Sequence, residues 1–105
     1  MGIISKGVSK AIGGIVEACI TDSYPCVIYG KLIDDTARNI AKHITESAPQ
    51  QENLIWALKL NIINCHKNSF AVLNRNLQLC VSHRTFKREK HRFVCDIARQ
   101  IGLMA

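Results

Sequence analysis

CVSHRTFKREKHRFVC, residues 80–95, reads almost as a mirror image of itself. Cys80 and His83 enter it, basic side chains fill its middle, and His91 and Cys95 leave it. A helix ending near Ser82 and another beginning near Thr85 or Phe86 would form an antiparallel hairpin centred close to Lys87. Cys80 would then stand level with Cys95, and His83 with His91. Along their own helices the pairs are spaced i,i+3 and i,i+4, so each can project from one face.

Two thiolates and two imidazoles form a normal tetrahedral complement for structural zinc, and Cys80, His83, His91 and Cys95 are the candidate ligands. The spacing C-x2-H-x7-H-x3-C is not that of the common finger, and no C-x2-C knuckle accompanies it. Two other readings stay open. Cys80 and Cys95 can serve as small core hydrophobes, with His83 and His91 hydrated in a basic loop, or the two cysteines can form a redox-dependent bridge. The adjacent Cys65 and His66 would replace a member of the quartet if the preceding helix packs alongside.

Outward from this stretch the pattern is helical nearly everywhere, and alternation of period two is scarce. Residues 2–20 place Ile4, Val8, Ile12, Ile15 and Cys19 along one face, with Gly7, Gly13 and Gly14 weakening the helix in isolation. Asp22, Ser23 and Pro25 supply turn chemistry, and CVIYG at 26–30 reads as a short extended segment closed by Gly30. Ile33, Ala37, Ile40, Ala41 and Ile44 mark a second helix that APQQ ends, with Asp34 and Asp35 near the favourable end of its dipole. A third helix from Glu52 carries Ile55, Leu58 and Ile62, widened by Leu54, Trp56, Leu60 and Ile63 into a surface suited to the centre of a core. CHKNS at 65–69 breaks the pattern, and Asn68 or Ser69 can cap the next helix. That fourth helix aligns Phe70, Leu73, Leu77 and Cys80, and a fifth from about Phe86 aligns Phe93, Val94, Ile97 and Ile101. The expected fold is an all-α, compact bundle of about four to five helices with a C-terminal helical hairpin, residues 1–105 forming a single helical domain.

Charge is distributed unevenly. The chain carries 14 lysines and arginines against 8 aspartates and glutamates. Before Lys59 the acids outnumber the bases, whereas beyond it Glu89 and Asp96 are the only acids. This excess is a local positive field of the kind that attracts polyanions or an acidic membrane surface. Arg84, Lys87, Arg88, Lys90 and Arg92 are the candidate phosphate contacts, with Lys67 and Arg75 extending the patch if their faces align. Phe86 is the candidate for base stacking, because it lies near the expected turn, while Phe93 has the period of a core residue. RNA is favoured weakly over DNA, since a duplex of RNA is recognised through shape and backbone. The bland alternative is a solvated, charged helix junction.

In size, basicity and cysteine and histidine content the chain is similar to plant-virus suppressors of RNA silencing, a likeness of composition that no diagnostic motif extends. It implies a small accessory protein that sequesters RNA. No P-loop, G-x-S-x-G elbow, H-E-x-x-H helix or dinucleotide fingerprint occurs, Asp34 and Asp35 diverge on a helix, and the adjacency of Cys65 and His66 does not create the hydrogen bond that a nucleophile and base require, so a non-enzymatic role is expected. Two further partners follow from apolar surface: a membrane surface met by the amphipathic first segment, and a second copy of the chain or another protein met by the broad face around Trp56. Five cysteines, an odd set without regular spacing, lead us to expect a reduced intracellular protein, cytoplasmic or nuclear. Lys6 departs from the acylation pattern that Gly2 would begin.

Overall fold

The first three helices carry most of the mutual packing. α1 (Lys6–Ile20), α2 (Pro25–Ile44) and α3 (Ala48–Ile63) each lie against the other two, α4 (Phe70–Leu77) rests on α3, and α5 (His83–Gln100) crosses α1, α2 and α3. The structure is a computed structural model that describes residues 6–20 and 25–103, without the side chains of 25–28. Ile4, the Gly2 acylation pattern, Asp22, Ser23 and the Cys26 side chain lie outside these residues. Every described element is helical, and the radius of gyration is 12.8 Å, close to the roughly 13 Å of a compact chain of about 100 residues. No described helix is long and apolar enough to cross a membrane.

The periodic residues make the core. Ile12 and Val16 of α1, Ile33, Ala37, Ile40 and Ala41 of α2, Leu54, Ile55 and Leu58 of α3, Leu73 of α4, and Phe93, Val94 and Ile97 of α5 are all buried together. The apolar stripe of α1 is therefore spent inside the bundle, with Val8, Ile15 and Cys19 packed at its margin. α3 touches all four other helices, which explains why its apolar residues spread beyond one stripe.

Three element boundaries differ from the sequence expectation. CVIYG is not an extended segment but the first part of α2. Pro25 stands at the first helical position, where its missing N–H has no intrahelical partner to lose and its fixed φ suits the turn. APQQ does not end a helix but starts α3, capped by Ser47, whose side chain accepts from the Gln50 N–H. α4 stops at Leu77 and does not reach Ser82. Gln78 there takes a left-handed conformation (φ 52°), and its N–H bonds the Asn74 carbonyl. Asn53 Nδ2 donates to Leu77 O at 3.0 Å and Gln50 Nε2 to Gln78 O at 3.2 Å, so α3 satisfies the carbonyls that a longer helix would have used.

The turn between the last two helices consequently lies at 78–82, well before Lys87. Leu79 anchors it in the core, and Ser82 caps α5 by accepting from the Thr85 N–H at 3.2 Å. At the far end Gly102 (φ 82°) follows the cap, with Leu103 N–H on Ala98 O and Gly102 N–H on Arg99 O closing the helix in a Schellman arrangement.

Candidate nucleic-acid interface

Moving the turn to 78–82 changes the neighbours of every candidate residue. His83, His91 and Cys95 now share one continuous helix, and at about 1.5 Å per residue His83 and Cys95 are separated by roughly 18 Å along its axis. Cys80 is exposed in the turn, whereas Cys95 is fully buried in the core. The mirrored quartet is not brought together, and no group of three or more possible ligand side chains occurs among the described residues. Cys65 and His66 do not supply a replacement. Both are exposed in a turn that the Asn64 side chain holds by accepting from the His66 and Lys67 N–H groups. Among the described cysteines, Cys65, Cys80 and Cys95 are free thiols.

Phe86 also moves from the surface to the core. It is 3% exposed and packs at 5.4 Å, ring to ring, on Phe70, so it cannot offer a face to a base. Its helical period explains this: with α5 beginning at His83, Phe86 shares an arc with Phe93 on the inward side. Phe93 is buried, as its period indicated.

The five cations occupy the complementary arc. At about 100° per residue, Arg84, Lys87 and Arg88 fall within roughly 100° of one another, Arg92 extends that arc on one side and Lys90 on the other. Arg84, Lys87, Arg88 and Arg92 are exposed, and Lys90 is half-buried. They span the first ten residues of α5, and Arg84 lies in its first turn, where unpaired N–H groups already present partial positive charge and no acid stands. Glu89 is the exception within the cluster. Its carboxylate, 5% exposed, lies 3.3 Å from Arg88 Nε and 3.4 Å from the Arg92 guanidinium, so two of the five cations are partly engaged. Two clefts flank the helix. One, lined by His43, Cys80, Arg88, Glu89 and Arg92, includes that carboxylate; the other, lined by Phe70, His83, Lys87 and Lys90, includes none.

No family model, curated protein or solved structure matches this chain. The residues themselves carry the functional argument. Elsewhere, Asp34 and Asp35 diverge as their spacing implied: Asp35 pairs with Lys31 at 3.0 Å, while Asp34 turns to α3 and meets Lys59 at 3.1 Å. Arg38 joins Asp34 to Glu52, making a structural tie between α2 and α3. Trp56 is 46% exposed, with the Lys59 ammonium 5.7 Å from its ring centre.

Proposed function

We propose that this protein binds nucleic acid through the exposed arc of α5 between Arg84 and Arg92, with Arg84, Lys87, Arg88, Lys90 and Arg92 on phosphates and RNA as the favoured polymer. One observation carries the reading: five cations share one solvent-facing arc of α5, and the only acid within that stretch, Glu89, is buried beneath it. Arg84, in the first turn of α5, costs about a few tenths of a kcal/mol in the free protein, and the five cations repel one another; a polyanion reverses the sign of both interactions. The resulting contacts are sequence-independent and suit sequestration better than selective readout.

The test replaces all five with glutamine in the full chain and follows RNA binding across a salt series, with circular dichroism reporting the fold. Loss of affinity is expected together with a flatter dependence of log K on log salt, by about 0.7 to 0.9 for each phosphate contact removed. Unchanged binding by a folded variant overturns the reading.

A second reading, self-association of two copies, draws support from Trp56, which shares an apolar cleft with Val16, Ile20 and Ile33 at the α1, α2 and α3 junction. Sedimentation of the wild type and Trp56→Ser over a range of concentrations tests it. A concentration-dependent mass lost in the variant is expected, and a constant monomer mass overturns it.

A further inference from the structure

Phe86 is buried, but it belongs to a stack of rings whose outermost member is not. Phe70 rests on Phe86, and the His83 imidazole lies on Phe70 with ring centres 5.0 Å apart and planes inclined by only 5°. His83 is exposed as a residue while Phe70 stacks, offset, on one face of its ring. The platform is anchored from below: Phe86 is held in the core, Phe70 begins α4, and His83 begins α5.

Cations stand beside this platform in the right order. His83, Lys87 and Lys90 fall within roughly 60° around α5, one turn and two turns apart along it. All three line one cleft of about 340 Å³ together with Phe70, Phe86 and Cys65, and no carboxylate borders it among the described residues. An exposed flat ring flanked by lysines matches a nucleotide with an unpaired base, the base stacking on the ring and the adjoining phosphates meeting the ammonium groups. A duplex offers the same phosphates but keeps its bases stacked inside, so it gains nothing from the ring.

We propose that the stacked Phe70 and His83 pair, flanked by Lys87 and Lys90, is a base-stacking site for single-stranded nucleic acid. The proposal rests on the nucleic-acid reading above and narrows its partner to strands with unpaired bases. His83 thereby takes the stacking role that the sequence assigned to Phe86, and it does so without a metal.

The test uses the full chain, a labelled single-stranded oligoribonucleotide carrying 2-aminopurine, and the fully paired duplex of the same sequence. His83→Ala should weaken single-strand binding about 5- to 100-fold, as expected for loss of one stacked base, and abolish 2-aminopurine quenching while leaving duplex binding unchanged. His83→Phe should restore both signals, because stacking needs the ring and not its nitrogens. Equal affinity of wild type and His83→Ala for the single strand, equal losses on both polymers, or failure of His83→Phe to restore binding each overturns the stacking site. If wild type binds both polymers and the glutamine variant of the five cations binds neither, the nucleic-acid reading survives such a result. A wild type that binds neither polymer removes both proposals together.

Discussion

Glu89 Oε2 stands 3.4 Å from the Arg92 guanidinium, buried beneath a surface that is otherwise cationic, and its geometry falls short of a hydrogen bond. The carboxylate lowers the field of the patch from inside. Glu89→Gln keeps the shape of the side chain and releases Arg88 and Arg92 from their acid. Under the proposed function, RNA affinity should rise several-fold, and the salt dependence should steepen by up to about one phosphate contact per released cation. A titration at two or more salt concentrations reads both effects; a fall in affinity with the fold intact would count against Arg88 and Arg92 as phosphate contacts.

Gly13 and Gly14 are neighbours in sequence with opposite environments. A Cβ on Gly13 would sit 2.8 Å from the backbone carbonyl oxygen of Ile62, whereas one on Gly14 would meet nothing within 4 Å. Gly13→Ala therefore has to push α1 away from α3 and should cost about 1 to 3 kcal/mol, as overpacking does. Gly14→Ala should instead stabilise by up to about 1 kcal/mol through helix propensity. Chemical denaturation of the two variants separates these signs.

Acid should loosen the tie between α2 and α3. Partial burial acts to raise the Asp34 carboxyl, but the Lys59 hydrogen bond and charge, with Arg38, outweigh it and leave the pKa below its ordinary 3.8. A carboxylate depressed in the folded state contributes stability that is present above the unfolded value and is lost as the pH falls through the lower folded value. The stability gap between wild type and Asp34→Asn should be constant near neutrality, about 1 kcal/mol or less because the Asp34 side chain stays 39% exposed and is screened by solvent. It should close below pH 3.8. A gap that persists at low pH would assign the effect of Asn to packing instead of charge.

The five helical segments and most of the core were legible because Ile33, Ala37, Ile40 and Ala41, or Leu54 and Leu58, repeat at a helical period that burial enforces. The Ser47 and Pro49 start signal for α3 was also present in the sequence, but APQQ reads equally as a terminator. The end of α4 was not legible. It depends on Gln50 and Asn53, more than twenty residues upstream, donating to Gln78 O and Leu77 O. Extending α4 to Ser82 moved the turn and turned an exposed His83 into a ligand and a buried Phe86 into a stacking ring. The cationic arc survived that error because charges on the solvent side follow from composition and period alone.

Gln78 pays for this turn in its own backbone. Its φ of 52° lies in the left-handed region, which costs an ordinary L-residue about 1 to 2 kcal/mol and glycine almost nothing. The hydrogen bond it receives from Gln50 goes to its carbonyl, so glycine keeps that bond. Gln78→Gly should raise the thermal midpoint although it removes a side chain, and a lowered midpoint would show that the side chain matters more than the conformation.

Thiol reactivity distinguishes the observed register from the mirrored hairpin. In the mirrored register Cys80 and Cys95 occupy equivalent heights and would be protected together, by a metal or by a bridge. In the structure Cys80 is exposed in the turn and Cys95 is fully buried beside Phe93 and Ile97 in sequence and in the core. An alkylating reagent applied to the native, reduced protein should therefore modify Cys65 and Cys80 promptly, and Cys95 only at the rate of opening of the bundle. Peptide mapping by mass spectrometry assigns each site. Mild denaturant should accelerate Cys95 alone among these three, since its protection is the free energy of unfolding the core; equal protection of Cys80 and Cys95 that a chelator removes, or that protein purified without reductant shows and a reductant then abolishes, would restore the mirrored arrangement.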